Sequence, residues 1–251
     1  MKPTTFLRWL ILSLLCMAPS GAPPAASSLE DARVAWMQGR FVDAARMGES
    51  LATSEGYALA ARSLVVRAVY VAVEADRKAL LERATALARR AVDLDPGSAD
   101  AQMELARAIG RYAETIGAYE AANEGYAEKI RAAADAAVRL NPELAAAHLC
   151  IGGWHAGLVG TVGPFLARLT YGATEMKAVA AFERALRLAP DAKEVPYQYA
   201  LSLLDIDEDE HREKAQDLLE RAVAIAPATA HDRLLHARAV ERLKAIRASG
   251  G

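Results

Sequence analysis

Residues 148–163 read HLCIGGWHAGLVGTVG and combine histidine, cysteine and five glycines, residue types that bind metals, act as nucleophiles or cradle phosphates. On a helix, His148 and His155 would lie about 10 Å apart along the axis, too far for one metal ion. Cys150 and His155 would point about 140° away from each other, so they do not form a nucleophile–base pair. The glycines match no phosphate-loop pattern, and the chain has no HExxH or CxxC motif. We therefore predict no catalytic residue, no bound metal and no cofactor.

Helix packing explains the same stretch more fully. Ile151 and Gly152 form a large–small pair, in which glycine lets a neighbouring helix approach closely. Trp154 is then a large core residue, and the glycines of 157–163 are expected to mark the exit from the helix. A role in binding a partner is the remaining alternative.

A second candidate site is the acidic run Asp205-x-Asp207-x-Asp209, which resembles the start of a calcium-binding loop. Such a loop needs glycine at its sixth position and glutamate at its twelfth, where this chain has Glu210 and Gln216. We interpret the run as a solvated turn whose acids favour the N-terminus of the next helix.

Composition and charge exclude one class of partner. The 251 residues are 53% hydrophobic and 25% charged, with a formal net charge of −2. Acidic and basic residues alternate along the chain, and no basic stripe could follow a phosphate backbone. We therefore expect no nucleic-acid binding.

The N-terminus has the pattern of a secretory signal peptide, assigned to residues 1–26. Lys2 and Arg8 precede a short apolar run at 9–18, and small residues follow. That run is shorter than the roughly 20 residues that a membrane-spanning helix needs, so no stable span is expected after signal removal.

The remaining chain, residues 27–251, is predicted to form a single exported domain. It keeps one cysteine, Cys150, so it has no intrachain disulfide. We therefore expect the exported protein, which does not rely on disulfides, to be located in a bacterial periplasm.

The chain contains four internal repeats, and they predict the helices on which the candidate residues lie. In each copy an alanine lies five residues before a proline, and an apolar residue lies three residues before that alanine. This spacing places the apolar residues on one helix stripe that the proline then ends. The alanine–proline pairs are Ala91 and Pro96, Ala137 and Pro142, Ala185 and Pro190, and Ala222 and Pro227.

The pattern resembles the tetratricopeptide repeat, a helix–turn–helix unit of about 34 residues. Successive prolines lie 46, 48 and 37 residues apart, so the repeats carry insertions, mainly at 113–125 and 156–173. Further residues narrow the resemblance: Ala147-His148-Leu149, Gly152, Trp154, Phe165-Leu166-Ala167, Ala181 to Ala185, and Pro227, Thr229 and Asp232. They are similar to those of bacterial exported relatives of the regulator-of-microtubule-dynamics family. A more distant similarity is to the TatT component of certain periplasmic transporters.

The fold class expected is all-α, a degenerate tetratricopeptide-type solenoid of about five helical hairpins plus a C-terminal capping helix. No run of alternating β-branched residues argues for a strand. The hairpins are expected near 29–54, 57–94, 98–140, 143–189 and 193–226, and the capping helix at 230–247. Stacked hairpins form an arc with a concave wall.

The resemblance implies that the first helix of each hairpin lines that concave wall. Registering each copy on its proline assigns nine candidate binding residues to the wall: Arg67, Tyr70, Met103, Arg107, Arg111, Leu149, Tyr197, Leu201 and Arg238. Arginines among aromatic and aliphatic neighbours suit an extended acidic or amphipathic peptide.

The insertion at 157–173 is predicted to contain a short helix that begins at Pro164. Phe165, Leu166 and Leu169 would form its apolar face, with Arg168 opposite. We expect this helix to fold back and cover core of the fourth hairpin. The alternatives are a lid over the groove, or contact with a partner or a membrane surface.

These observations favour a non-catalytic exported scaffold that binds a protein or peptide partner on its concave face. The alternative is a small-ligand-binding or transporter-accessory protein of the periplasm. A buried elongated pocket between the 157–173 insertion and the repeats would favour the alternative, and a filled interior would oppose it.

Overall fold

A computed structural model describes residues 28–249, and all regular secondary structure in that range is α-helical. The helices are α1 (Leu29–Met37), α2 (Phe41–Ser50), α3 (Ser54–Tyr70), α4 (Glu74–Leu94), α5 (Ala99–Ile116), α6 (Ala118–Asn123), α7 (Tyr126–Leu140), α8 (Ala145–Val162), α9 (Pro164–Tyr171), α10 (Glu175–Leu188), α11 (Glu194–Ile206), α12 (Glu208–Ala224) and α13 (Ala230–Ser249). The predicted all-α fold class is confirmed. Among these helices, none has the length and apolarity needed to cross a bilayer. The predicted signal peptide at 1–26 lies outside the described residues.

The helices pair into five hairpins: α1 with α2, α3 with α4, α5 with α7, α8 with α10, and α11 with α12. Each hairpin packs against the next, and α13 covers the last one. Helices α6 and α9 are additions, placed inside the third and fourth hairpins by the two insertions. The expected solenoid of stacked hairpins with a capping helix is therefore present.

The repeated alanine is the contact that brings the hairpins together. The four copies, Ala91, Ala137, Ala185 and Ala222, are completely buried. The apolar residues three positions earlier are buried as well: Ala88, Ala134, Phe182 and Leu219. Because alanine has only a Cβ atom, neighbouring helices approach closely at these positions. The following proline lies just beyond the last turn of its helix, where it cannot continue the hydrogen-bond ladder.

Several helices begin at side-chain caps. Ser28 and Asp31 form a capping box at the start of α1. The Ser98 hydroxyl accepts from the Ala101 N–H at the start of α5. Asp207 accepts from two backbone N–H groups of α12, so the acidic run caps a helix as the sequence indicated.

The arc closes on itself, because α13 reaches back to the first two hairpins. The His231 ring lies edge-on to Trp36 of α1 at 5.8 Å and to Tyr70 of α3 at 5.2 Å. The Arg238 guanidinium lies 5.5 Å from the centre of the Tyr70 ring and donates to the Val69 carbonyl. The concave wall is therefore partly enclosed by the chain itself.

Helix α9 contradicts the expectation that it covers core. Phe165, Leu166 and Leu169 are 75%, 51% and 71% exposed, and Ala167 is the residue that α9 buries. The small side of the helix packs inward, where Ala167 joins a cluster that contains Trp154 and Val159. The large apolar side chains are left facing solvent.

The contact between α1 and α13 predicts a stability difference between two glycine substitutions. Gly39 has a φ of +85°, and a Cβ atom there would lie 2.9 Å from the Ala230 Cβ. We expect Gly39→Ala to lower the free energy of unfolding by about 1–3 kcal/mol, measured by urea denaturation. Gly172→Ala is the matched control, because its φ is +65° and its Cβ would meet only the Lys177 side chain at 4.0 Å. Equal losses in both variants would show that the contact with α13 adds nothing.

Candidate functional site

A cavity of about 500 Å³ lies between α5, α7, α8 and α11. The inserted helix α6 forms one side of its mouth, and Tyr171 at the end of α9 also lines it. The exposed lining residues Ala118, Ala122, Gly157 and Thr161 place the mouth between α6 and the C-terminal half of α8. The two insertions therefore form the entrance.

The floor of the cavity is apolar and rigidly placed. Trp154 on α8 donates its indole N–H to the Ala127 carbonyl of α7 at 2.7 Å. The Arg131 guanidinium lies 5.0 Å from the centre of the indole, and Tyr171 packs edge-on against it. Contacts on three sides hold this ring in one orientation. Ile130, Leu149, Leu158 and Phe182 complete the apolar lining.

Another side of the cavity is lined by Arg107 and Glu194, which belong to a chain of ion pairs that runs behind it. Glu104, which is 1% exposed, accepts from Arg62 Nε at 2.5 Å and lies 3.4 Å from Arg107 Nε. Arg107 in turn donates to Glu194 Oε1 at 2.6 Å. Burial alone would raise the pKa of Glu194, but Arg107 and the other nearby cations lower it to about 2. Glu194 and Arg107 therefore stay ionised at neutral pH.

A second polar connection runs parallel to the first. Arg111 donates to Glu114 at 2.8 Å and to the Gln198 side chain at 3.3 Å. Gln198 then donates to the Tyr70 hydroxyl at 3.3 Å. This connection joins α5, α11 and α3 beside the cavity.

The nine residues assigned to the concave wall fall into separate places. Met103, Arg107, Arg111, Leu149 and Leu201 line the cavity, whereas Tyr70, Tyr197 and Arg238 lie where α3, α11 and α13 meet. Arg67 is a half-buried residue of α3 outside the cavity lining. Met103 and Tyr197 are core side chains with 0% and 5% exposure, and of the two only Met103 adjoins the cavity. Binding of a partner by the others stays a prediction.

The glycines of the 148–163 stretch occupy two kinds of position, those in close helix packing and those that border open space. A Cβ atom at Gly152 would lie 2.7 Å from the Phe182 ring, and one at Gly160 would lie 2.6 Å from the Asp205 carbonyl oxygen. These two glycines are required by packing, as the sequence indicated for Gly152. At Gly153 and Gly157 a Cβ atom would meet nothing within 4 Å, and both residues line the cavity.

The exit from the helix expected at 157–163 lies at the end of that range, because α8 continues to Val162 and Gly163 is its C-cap. Glycines 157 and 160 are therefore interior helical positions, where they cost stability relative to alanine. Close packing offsets that cost at Gly160, whereas at Gly157 the structure shows only open space.

The histidines and the cysteine of the stretch do not form a reactive group. His148 bonds to the Pro142 carbonyl at 2.8 Å, on the outside of α8. Burial raises the pKa of Cys150 to about 11, so its thiol stays protonated at neutral pH. Within residues 28–249, no three His, Cys, Asp or Glu side chains are arranged to hold a metal ion.

Sequence reasoning missed two parts of this site. Glu194 and Gln198 stand one helical turn apart on α11, and their partners lie 87 residues earlier in the chain. The α6 wall was also missed, although the small residues Gly117, Ala118, Ala121 and Ala122 that line the cavity were visible in the sequence.

The buried charge chain predicts a large effect of Glu194→Ala. The substitution leaves Arg107 without its closest partner in a site where it is 19% exposed, so we expect a loss of about 2–3 kcal/mol of unfolding free energy. Glu49→Ala is the control, because its ion pair with Arg83 has the same length, 2.6 Å, but lies on the surface. The control loss should stay below about 1 kcal/mol by chemical denaturation. A control loss as large as that of Glu194→Ala would contradict the buried-charge explanation.

His155 predicts a loss of stability in acid. Its Nε2 accepts from Arg131, since a guanidinium can only donate, so Nδ1 carries the proton. Burial and the Arg131 charge lower the pKa of His155 to about 4 from an ordinary value of 6.5. Protonation of His155 is therefore harder in the folded state than in the unfolded state. The stability that neutral His155 gives the fold is complete above pH 6.5 and is lost as the pH falls towards 4. The unfolding free energy of His155→Gln should fall less steeply across this window than that of the wild type.

Comparisons with known proteins identify the family and the fold of the chain. A solved structure titled as a thermophilic tetratricopeptide-repeat protein, TTC0263 of Thermus thermophilus, is 22% identical, with a TM-score of 0.59 over 85% of this chain and 97% of that one. The assembly chaperone of RpL4, Acl4, is 15% identical, with a TM-score of 0.37 over 89% of this chain and 92% of that one. No curated protein matches. The profile of the family described as regulator of microtubule dynamics protein 1-3 matches residues 54–247. The chain therefore belongs to this family of helical-repeat proteins.

Proposed function

We propose that this protein is a non-catalytic binding protein that holds a segment of a protein or peptide partner in the cavity between α5, α8 and α11. The observation that carries the proposal is the open volume beside Gly153 and Gly157. A volume of about 500 Å³ is typical of ligand-binding pockets. The tetratricopeptide-type fold supports a role as an interaction scaffold.

The chemistry of the lining suits an amphipathic segment. The indole of Trp154 and the side chains around it offer an apolar floor, and Arg111, Ser202 and Asp205 offer polar groups at one side. The internal hydrogen bonds of Arg111 and Gln198 order this side before any partner arrives. Binding therefore loses little conformational entropy on the scaffold side.

A small apolar ligand is the second candidate. It is favoured by the position of the cavity, which lies between the insertion residue Tyr171 and the repeat helices. A carrier or transporter-accessory role would follow if the occupant is a small molecule.

We also propose that the protein is exported, with the periplasm of a bacterium as its destination. The support is the basic, apolar and small-residue pattern of residues 1–26. N-terminal sequencing of the protein accumulated in the producing cell tests this, because an intact N-terminus would contradict removal of a signal peptide.

The cavity is tested by Gly153→Leu. The new side chain enters open space and replaces glycine inside a helix, so stability should stay equal or rise by up to about 1 kcal/mol. Filling the cavity should abolish partner capture by crosslinking in the native cell, whereas the matched control Gly153→Ala should retain it. Native mass spectrometry of the same three proteins detects a small ligand as an added mass that Gly153→Leu lacks. Identical capture by all three proteins, with no added mass, would refute binding in the cavity.

A further inference from the structure

Helix α9 has its apolar and small faces reversed relative to an ordinary surface helix. Successive residues turn by about 100°, so Phe165, Leu166 and Leu169 share one face that spans about 100°. Ala167 lies on the other side and is completely buried. A surface helix normally places its large apolar residues in the core. An exposed face of this kind marks a surface that binds something.

This face is presented by an ordered helix. Gly163 adopts a φ of +82° before the first turn, and Pro164 starts the helix. At the other end, the Ala173 N–H donates to the Ala167 carbonyl at 3.0 Å, and the Tyr171 ring packs against Trp154. The three exposed side chains therefore keep a defined arrangement.

The segment that carries the face has a single charge, and it is positive. Residues 156–174 contain one charged side chain, Arg168, and no acid. Helical geometry places Arg168 about 60° from Phe165, beside the apolar face rather than opposite to it as predicted. Within residues 28–249, Arg168 makes no ion pair. The nearest acid along the chain, Glu175, lies 3.2 Å from His211 Nε2.

We propose that α9 docks on the surface of an anionic lipid bilayer. Phe165, Leu166 and Leu169 enter the boundary between headgroups and acyl chains, and Arg168 lies at the level of the lipid phosphates. A second copy of the chain fits less well. The three side chains offer roughly 400 Å² of apolar surface, against about 800 Å² that each partner of a stable interface buries.

The proposal is separate from the cavity, because Phe165, Leu166 and Leu169 do not line it. Filling the cavity at Gly153 and removing the α9 face are therefore independent experiments. Failure of one leaves the other unaffected.

The first test is cosedimentation of the full-length chain with vesicles of phosphatidylcholine that contain about one-third phosphatidylglycerol. We expect Phe165→Ser combined with Leu169→Ser to lower the partition coefficient by at least about tenfold. Arg168→Glu should weaken binding to these vesicles more than to pure phosphatidylcholine. Val73→Ser is the control, because Val73 is 67% exposed in a different part of the fold. All variants share residues 1–27, so any contribution from those residues cancels.

The second test reports on α9 directly. Leu169→Trp introduces an indole on the exposed face. Its emission, taken as the difference from the wild type with its three native tryptophans, should shift to shorter wavelength when the anionic vesicles are added. Brominated lipids should then quench that emission. The proposal is overturned if the double variant partitions like the wild type or if the new indole stays in water. Concentration-dependent dimerisation that the double variant loses would assign the face to a second copy instead.

Discussion

Glu104 is almost completely enclosed by protein, and a carboxylate in such a place is stable only when cations surround it. Arg62 and Arg107 provide those cations, and Arg107 continues the interaction to Glu194 at the start of α11. These charges join the second, third and fifth hairpins across the inside of the arc. The polar wall of the cavity follows from this constraint, because α5 and α11 are held at a fixed separation. Each member depends on its neighbour, so loss of one leaves a buried charge without a partner.

The cavity is open partly because glycines, which have no side chain, line it at Gly153 and Gly157. Helices in a repeat stack approach until their side chains touch, and Gly152 and Gly160 show this in α8. Gly153 and Gly157 lie on the same helix but approach nothing, so the space beside them is available to another molecule. The thiol of Cys150 beside them stays protonated because it is buried. The lining therefore offers shape and polarity to an occupant, and Cys150 contributes to it as a thiol rather than a thiolate.

The insertion at 157–173 contributes both to the exposed face of α9 and to the lining of the cavity. Tyr171 at the end of α9 lines the cavity, while Phe165 and Leu169 face away from it into solvent. Because different side chains serve the two surfaces, contact with lipid and occupation of the cavity can occur together. The insertion thereby adds an exposed apolar face and one part of a cavity lining to a stack whose repeats supply the framework.

The all-α class and the stacked hairpins could be predicted from the residues alone, because the alanine and proline spacings act locally within one or two helical turns. It also identified Gly152 as a packing position, since a small residue next to a large one on a helix predicts close approach. The pairing of Arg107 with Glu194 depended on tertiary structure, because 87 residues separate the two groups and no local pattern encodes their contact. The same reason explains the errors at α9. Whether an apolar face is covered depends on how the helix packs against distant elements, and here α9 turns Ala167 inward and its large apolar side chains outward.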